Sequence, residues 1–175
     1  MMFYSRRFLV SLVTTHLPLR RVAKAVTTKK IGEVISLSND AARKLGKPTP
    51  RIGVAGLNPH AGEGGALGAE EGRVVAPAVV AARRRGIHAE GPIPADVLFR
   101  KAYEREFDVV VAMYHDQALA PFKMIAFERG VNVTLGLPFV RTSVDHGTAF
   151  DIAGKGIASE KSLVEALRLA ARLAR

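Results

Sequence analysis

The 175-residue sequence predicts an α/β domain built on a mostly parallel sheet flanked by helices. Two observations carry this. Short apolar runs alternate with segments of helical periodicity along the whole chain, and one run, Phe107–Met113 (FDVVVAM), is apolar almost throughout. A parallel strand buried on both faces has that character. The composition agrees: 48% hydrophobic and 24% charged residues are globular values.

Taken in order, Phe8–Thr14 (FLVSLVT) reads as a strand and Arg20–Val26 as a short helix. Thr28–Leu45 is helical, because Ile31, Val34, Ile35, Ala41, Ala42 and Leu45 recur at three- and four-residue spacings. Gly46 stops it and Pro48 follows. Arg51–Gly56 is the second strand. Leu67–Arg85 is helical up to Gly86, with Pro77 as the expected kink. Ala95–Glu106 is a helix, Phe107–Met113 the buried strand, and Asp116–Phe127 a helix interrupted by Pro121. Val131–Leu135 is a short strand, and Ser159–Arg175 closes the chain as a helix with Ser159 as N-cap. No internal linker or repeat appears, so residues 1–175 are expected to form a single α/β unit.

The net charge of +10 is unevenly placed: residues 1–60 hold 11 Lys/Arg against 2 Asp/Glu. Such a beginning fits an anionic partner, a targeting peptide, or solvated cations on helix faces. With no Trp, the solvated reading is preferred. Neither nucleic acid nor membrane is an expected partner, since no apolar run approaches the ~18 residues of a spanning helix. The absence of cysteine excludes a disulfide scaffold and a thiol nucleophile. It fits a reducing compartment, and a cytoplasmic location is the expectation.

Three of the five histidines share one context. His16, His60 and His115 each follow a predicted strand (LVTTH, VAGLNPH, VVVAMYH). Ligands of open parallel sheets bind beyond the carboxyl ends of the strands. Three imidazoles converging there suit a transition metal with an open coordination position. Asp116 and Asn58 are candidates to orient the rings. The competing reading is that each histidine caps its strand. His88, after a basic turn, reads as surface.

Asn58–Gly65 (NPHAGEGG) is a Gly-rich loop, suited either to an anion or to positive φ. Lys123, Asn132 and Arg141 surround the last predicted strand and suit a phosphate or carboxylate, or plain solvent. Asp96 reads first as a helix N-cap. Asp145–Gly156 (DHGTAFDIAGKG) is a long polar loop that either packs on a nucleotide or forms an ordered Ω-type loop.

The segments TTHLPL, GLNPHAGEGG, GPIPAD, MYHDQ and NVTLGLPFVRTSVDHGTAFDIAGKG closely resemble the 4-hydroxythreonine-4-phosphate dehydrogenases, oxidoreductases of pyridoxal 5′-phosphate biosynthesis. The resemblance covers essentially the whole chain. It implies an isocitrate/isopropylmalate dehydrogenase-like fold lacking part of the amino-terminal lobe. The chain looks like the carboxyl-terminal portion of a longer family protein, without the family's G-H-T-E substrate loop.

The resemblance assigns His16, His60 and His115 to a divalent metal (Zn, Mg or Co) shared between the subunits of a homodimer. It assigns Lys123, Asn132 and Arg141 to a small phosphorylated amino-acid substrate, Asp96 to proton transfer, and His146, Gly147 and Thr148 to NAD or NADP. The implied reaction is oxidation and decarboxylation of 4-phosphooxy-L-threonine to 3-amino-2-oxopropyl phosphate. The alternatives are a relative acting on another phosphorylated hydroxy acid, and an inactive remnant that binds metal or oligomerises. One position departs from the family: Ala118 follows MYHDQ where Gly is usual. Ala there strains the loop if φ is positive and is harmless if a helix starts.

Overall fold

Alternating apolar runs and helices become seven strands and six helices in a computed structural model, which describes residues 1–174. The chain begins with β1 (Met2–Tyr4), β2 (Leu9–Leu12), α1 (Leu19–Ala25), α2 (Thr28–Lys44) and β3 (Ile52–Ala55). It continues through α3 (Ala76–Arg84), β4 (Ala89–Ile93), α4 (Ala95–Tyr103) and β5 (Val109–Ala112). It ends with α5 (His115–Ala126), β6 (Val131–Thr134), β7 (Arg141–Val144) and α6 (Lys161–Leu173).

All the strands lie in one sheet of order β4-β3-β5-β2-β1-β6-β7. The run β4-β3-β5-β2 is parallel; β1 is antiparallel to both its neighbours, and β7 to β6. Strands β2 through β6 therefore point one way. The class expected from the sequence is borne out. β5 is central to the parallel half and wholly buried, as its unbroken apolar sequence requires.

Two apolar layers cover the sheet. Ile31 and Ile35 of α2, Val79 and Ala82 of α3, and Ala166 and Leu169 of α6 pack on one face. Leu98 and Phe99 of α4 and Ala118, Leu119 and Phe122 of α5 pack on the other, where Phe8 and Phe122 meet edge-on. The helix ends follow local chemistry. Thr27 caps α2 by accepting from the Lys30 amide at 3.2 Å. Gly46, at φ 87°, closes it with paired bonds from Gly46 N to Arg43 O and Lys47 N to Ala42 O.

Several expectations are corrected. Strands β1, β4 and β7 lie where none is predicted. The helix expected over 67–85 starts with a wide turn at Glu71–Val75 before α3. Pro77 falls in the first turn of α3, where its missing N–H costs nothing, so it does not kink the helix. Helix α5 runs unbroken through Pro121, because four buried apolar side chains hold it to the sheet. Glu160, not Ser159, precedes α6, and Pro94, not Asp96, precedes α4, so neither expected side-chain cap forms. Ala118 lies inside α5, fully buried, so its methyl group is part of the core and imposes no strain.

Asp108 ties the amino ends of β3 and β5 together. Its Oδ2 accepts from the Arg51 amide and its Oδ1 from Lys47 Nζ, both at 2.9 Å. Burial alone raises its pKa; the bonds from Arg51 and Lys47 outweigh that and hold it below the usual aspartate value. The stabilisation is therefore present above the ordinary aspartate range and is lost as pH falls through the lowered folded value. Asp108→Asn is expected to cost about 2 kcal/mol near neutral pH. Denaturant unfolding of both proteins should show that difference shrinking in acid.

Candidate functional site

Polar groups driven out of the buried sheet collect at its carboxyl edge. Beyond β2, Thr14 Oγ1 donates to Met113 O at 2.7 Å. Beyond β5, Met113 N donates to Gln117 Oε1 at 2.7 Å, and Gln117 Nε2 donates to Gly56 O, beyond β3, at 2.7 Å. Helix α5 starts so soon after β5 that Gln117, in its first turn, reaches back to both strand ends. Three strand ends are thus fixed relative to one another by two side chains.

This lacing brings His16 and His115 together, with ring centroids 5.5 Å apart and planes tilted by 46°. His115 is the first residue of α5, and its Nδ1 lies 2.7 Å from Asp116 Oδ1, so Asp116 orients the ring as anticipated. Both rings face solvent at the edge.

His60 stands apart, on a loop of unusual backbone. His60, Ala61, Gly62, Glu63 and Gly64 all have positive φ, forming a left-handed turn. The three that are not glycine each cost roughly 1–2 kcal/mol relative to a right-handed conformation. The Gly-rich loop therefore serves positive φ. Among the described residues, no three His, Asp or Glu side chains form a group able to hold a metal ion. Asn58, expected to orient His60, instead donates from Nδ2 to Glu70 and Glu71 at 2.9 and 3.0 Å.

Glu71 is the buried anchor of this loop. Its Oε1 accepts from the amides of Leu57 and Asn58, both at 2.7 Å. Burial alone raises its pKa; the bonds, first those from Asn58, outweigh it and hold Glu71 below the usual glutamate range. Sequence reasoning missed Glu71, yet a signal exists. It falls on the same helical stripe as the buried Val75, Ala78, Val79 and Ala82.

The expected substrate residues line one face of the outer hairpin. Asn132 pairs with Ser143 and Thr134 with Arg141 across β6 and β7, and all four alternate away from the Thr142 side that contacts α6. Arg141 is exposed and donates to Thr134 Oγ1 at 2.7 Å. The Asn132 Oδ1 atom is buried without a partner. Lys123, from α5, donates to Asp145 O at 3.2 Å and lies 3.8 Å from its Oδ1. His146, Gly147 and Thr148 line a different feature, a pocket of about 680 Å³ between the end of α5, the 146–158 loop and the start of α6. None of the three strand-end histidines reaches it. Asp96 is exposed in the first turn of α4, beyond β4.

Asp145 was not singled out from the sequence. Burial pushes its carboxyl up, against the attraction of Lys123, His115 and His146, and its Oδ2 has no partner. Its ionised form therefore costs stability above the raised folded pKa, and this cost disappears as pH falls below the ordinary aspartate range. Asp145→Asn is expected to raise the thermal midpoint near neutral pH, with the gain vanishing in acid. Calorimetric melts across that pH range check the sign.

Comparison with known proteins gives this geometry a family. The model of the pyridoxal phosphate biosynthetic protein PdxA matches residues 1–170. The 4-hydroxythreonine-4-phosphate dehydrogenase of Ralstonia nicotianae is 56% identical over 167 residues, 95% of this chain and 49% of that protein. A protein of Oceanobacillus iheyensis named "Putative D-threonate 4-phosphate dehydrogenase" is 50% identical over 175 residues, 99% of this chain and 53% of its own. The crystal structure of 4-hydroxythreonine-4-phosphate dehydrogenase from Klebsiella pneumoniae superimposes with a TM-score of 0.88 at 45% identity, covering 99% of this chain and 53% of that one. The chain thus spans about half the length of the relatives it matches. Over that half, the agreement of sequence and fold establishes that the chain belongs to the PdxA family of pyridoxal phosphate biosynthetic proteins.

Proposed function

We propose that this chain furnishes the metal- and phosphate-binding half of a dehydrogenase site. The reaction is oxidation of 4-phosphooxy-L-threonine by NAD or NADP, followed by loss of CO₂ to give 3-amino-2-oxopropyl phosphate. The observation that carries the reading is the pairing of His16 with His115 at the carboxyl edge. With metal–nitrogen distances of ~2 Å, two imidazoles on one tetrahedral ion have ring centroids roughly 5–5.5 Å apart. The observed 5.5 Å fits that arrangement.

His115, with its Nδ1–H donated to Asp116, presents Nε2 as the ligating atom. His16 is the second ligand. His60 is exposed on its projecting loop, which supports its serving the site of a second copy in a homodimer. When bound, a divalent metal supplies Lewis acidity that lowers the pKa of the substrate alcohol and stabilises the charge left by decarboxylation. NAD or NADP would supply the hydride acceptor, and His146, Gly147 and Thr148, which line the pocket, would hold it.

The remaining residues bind and orient. Arg141 offers a planar fork and Lys123 a point charge to the substrate phosphate, and Asn132 has an unsatisfied buried oxygen on the same face. Asp96, exposed beyond β4, is available to carry the proton.

One observation favours a second reading, in which the substrate is another phosphorylated hydroxy acid. The Oceanobacillus relative matches nearly as well as the Ralstonia one, and its named substrate carries a hydroxyl where phosphooxy-threonine carries an amine. Metal analysis after chelation and reconstitution is the first test. Wild type is expected to take up one divalent ion per site, and His115→Ala to lose it. Reduced nicotinamide formation with each of the two phosphorylated substrates then separates the two readings. A folded protein that binds no metal overturns both in favour of a non-catalytic remnant.

A further inference from the structure

We infer that Glu71 is a positioning residue whose buried carboxylate sets the place of His60 by clamping the left-handed loop on both sides of it; this rests on the reading of His60 as a metal ligand. Before His60, Glu71 Oε1 accepts from the amides of Leu57 and Asn58, and Oε2 from Asn58 Nδ2. After His60, Gly62 packs so closely that a Cβ there would lie 2.5 Å from Glu71 Oε2. His60 thus sits on an arch whose two feet rest on one side chain.

The clamp is tied to the core at its other end. Glu71 is 4% exposed and opens the wide turn that leads into α3; Val75 of that turn and Ala78 and Val79 of α3 are buried against the sheet. Wide turns of this kind recur at functional sites. Three donors converge on the carboxylate. Glutamine in the same pose keeps one oxygen for the Leu57 and Asn58 amides and sets its NH₂ group against Asn58 Nδ2, whereas alanine removes every acceptor. A purely structural acid would have no reason to be coupled to metal binding, and that separates the two roles.

The test uses the full chain with Zn²⁺ as probe. Amide hydrogen exchange of Glu71→Ala, which removes both carboxylate oxygens, is expected to accelerate about tenfold or more at Leu57 and Asn58, with β2, β3 and β5 unchanged. Zn²⁺ affinity is expected to fall about 10- to 100-fold, as on loss of a residue that orients a ligand. The double variant Glu71→Ala/His60→Ala should bind no more weakly than His60→Ala alone. Gly62→Ala attacks the same contact from the loop side and carries the test if Glu71→Ala does not fold. Unchanged exchange at Leu57 and Asn58, or losses of affinity that add in the double variant, overturn the inference. If His60→Ala leaves Zn²⁺ binding intact, the ligand assignment fails, and the exchange result alone then decides whether Glu71 holds the loop.

Discussion

Strands β2, β3 and β5 are buried on both faces, so the imidazoles they carry can stand only beyond their ends. Val109–Ala112 are without solvent exposure, and neighbouring β2 and β3 are buried as well. Thr14, beyond β2, is consumed in holding Met113 O, and Gln117, beyond β5, in stitching Met113 to Gly56. The separation of His16 and His115 is inherited from that stitching. Neither histidine needs a packing partner of its own, because the strands beneath them cannot slide without leaving unpaired polar groups in the interior.

The loop bearing His60 solves a different problem. A left-handed turn with three non-glycine residues is disfavoured by its own backbone, so something outside the turn must hold it. Glu71 does so with short hydrogen bonds, and desolvation of the acid is offset by those same bonds. Asp145 is the contrasting case. It too is buried, but its Oδ2 has no partner and Lys123 stands 3.8 Å from its other oxygen, so burial prevails there. Two inward-facing acids of one molecule thus take opposite shifts according to how many donors meet them.

Much of this was legible in the sequence where a single physical signal dominates. β5 declared itself through an unbroken apolar run, α2 through its period and its Gly46 stop, and the His16–His115 pair through its shared strand-end context. β1, β4 and β7 escaped because MFY is too short to show alternation, AEGPI contains Gly and Pro, and RTSV is polar on an edge. Pro121 misled because burial of α5 outweighs one missing hydrogen bond. Asp96 and Ser159 were read as caps from residue type alone, while the backbone put Pro94 and Glu160 there. The Gln117 contacts depend on which strands become neighbours, which no local pattern reveals.

β1 occupies a peculiar place: three residues long, yet paired antiparallel on both sides. Phe3 faces Val10 on one flank and Asn132 on the other. The hairpin bearing Asn132 and Arg141 is therefore gauged against the strands bearing the imidazoles through a single short ladder. Slipping that ladder by one residue would turn Asn132 to the opposite face. Whatever tightens or loosens Met2–Tyr4 changes the span between the two sets of residues without touching any of them.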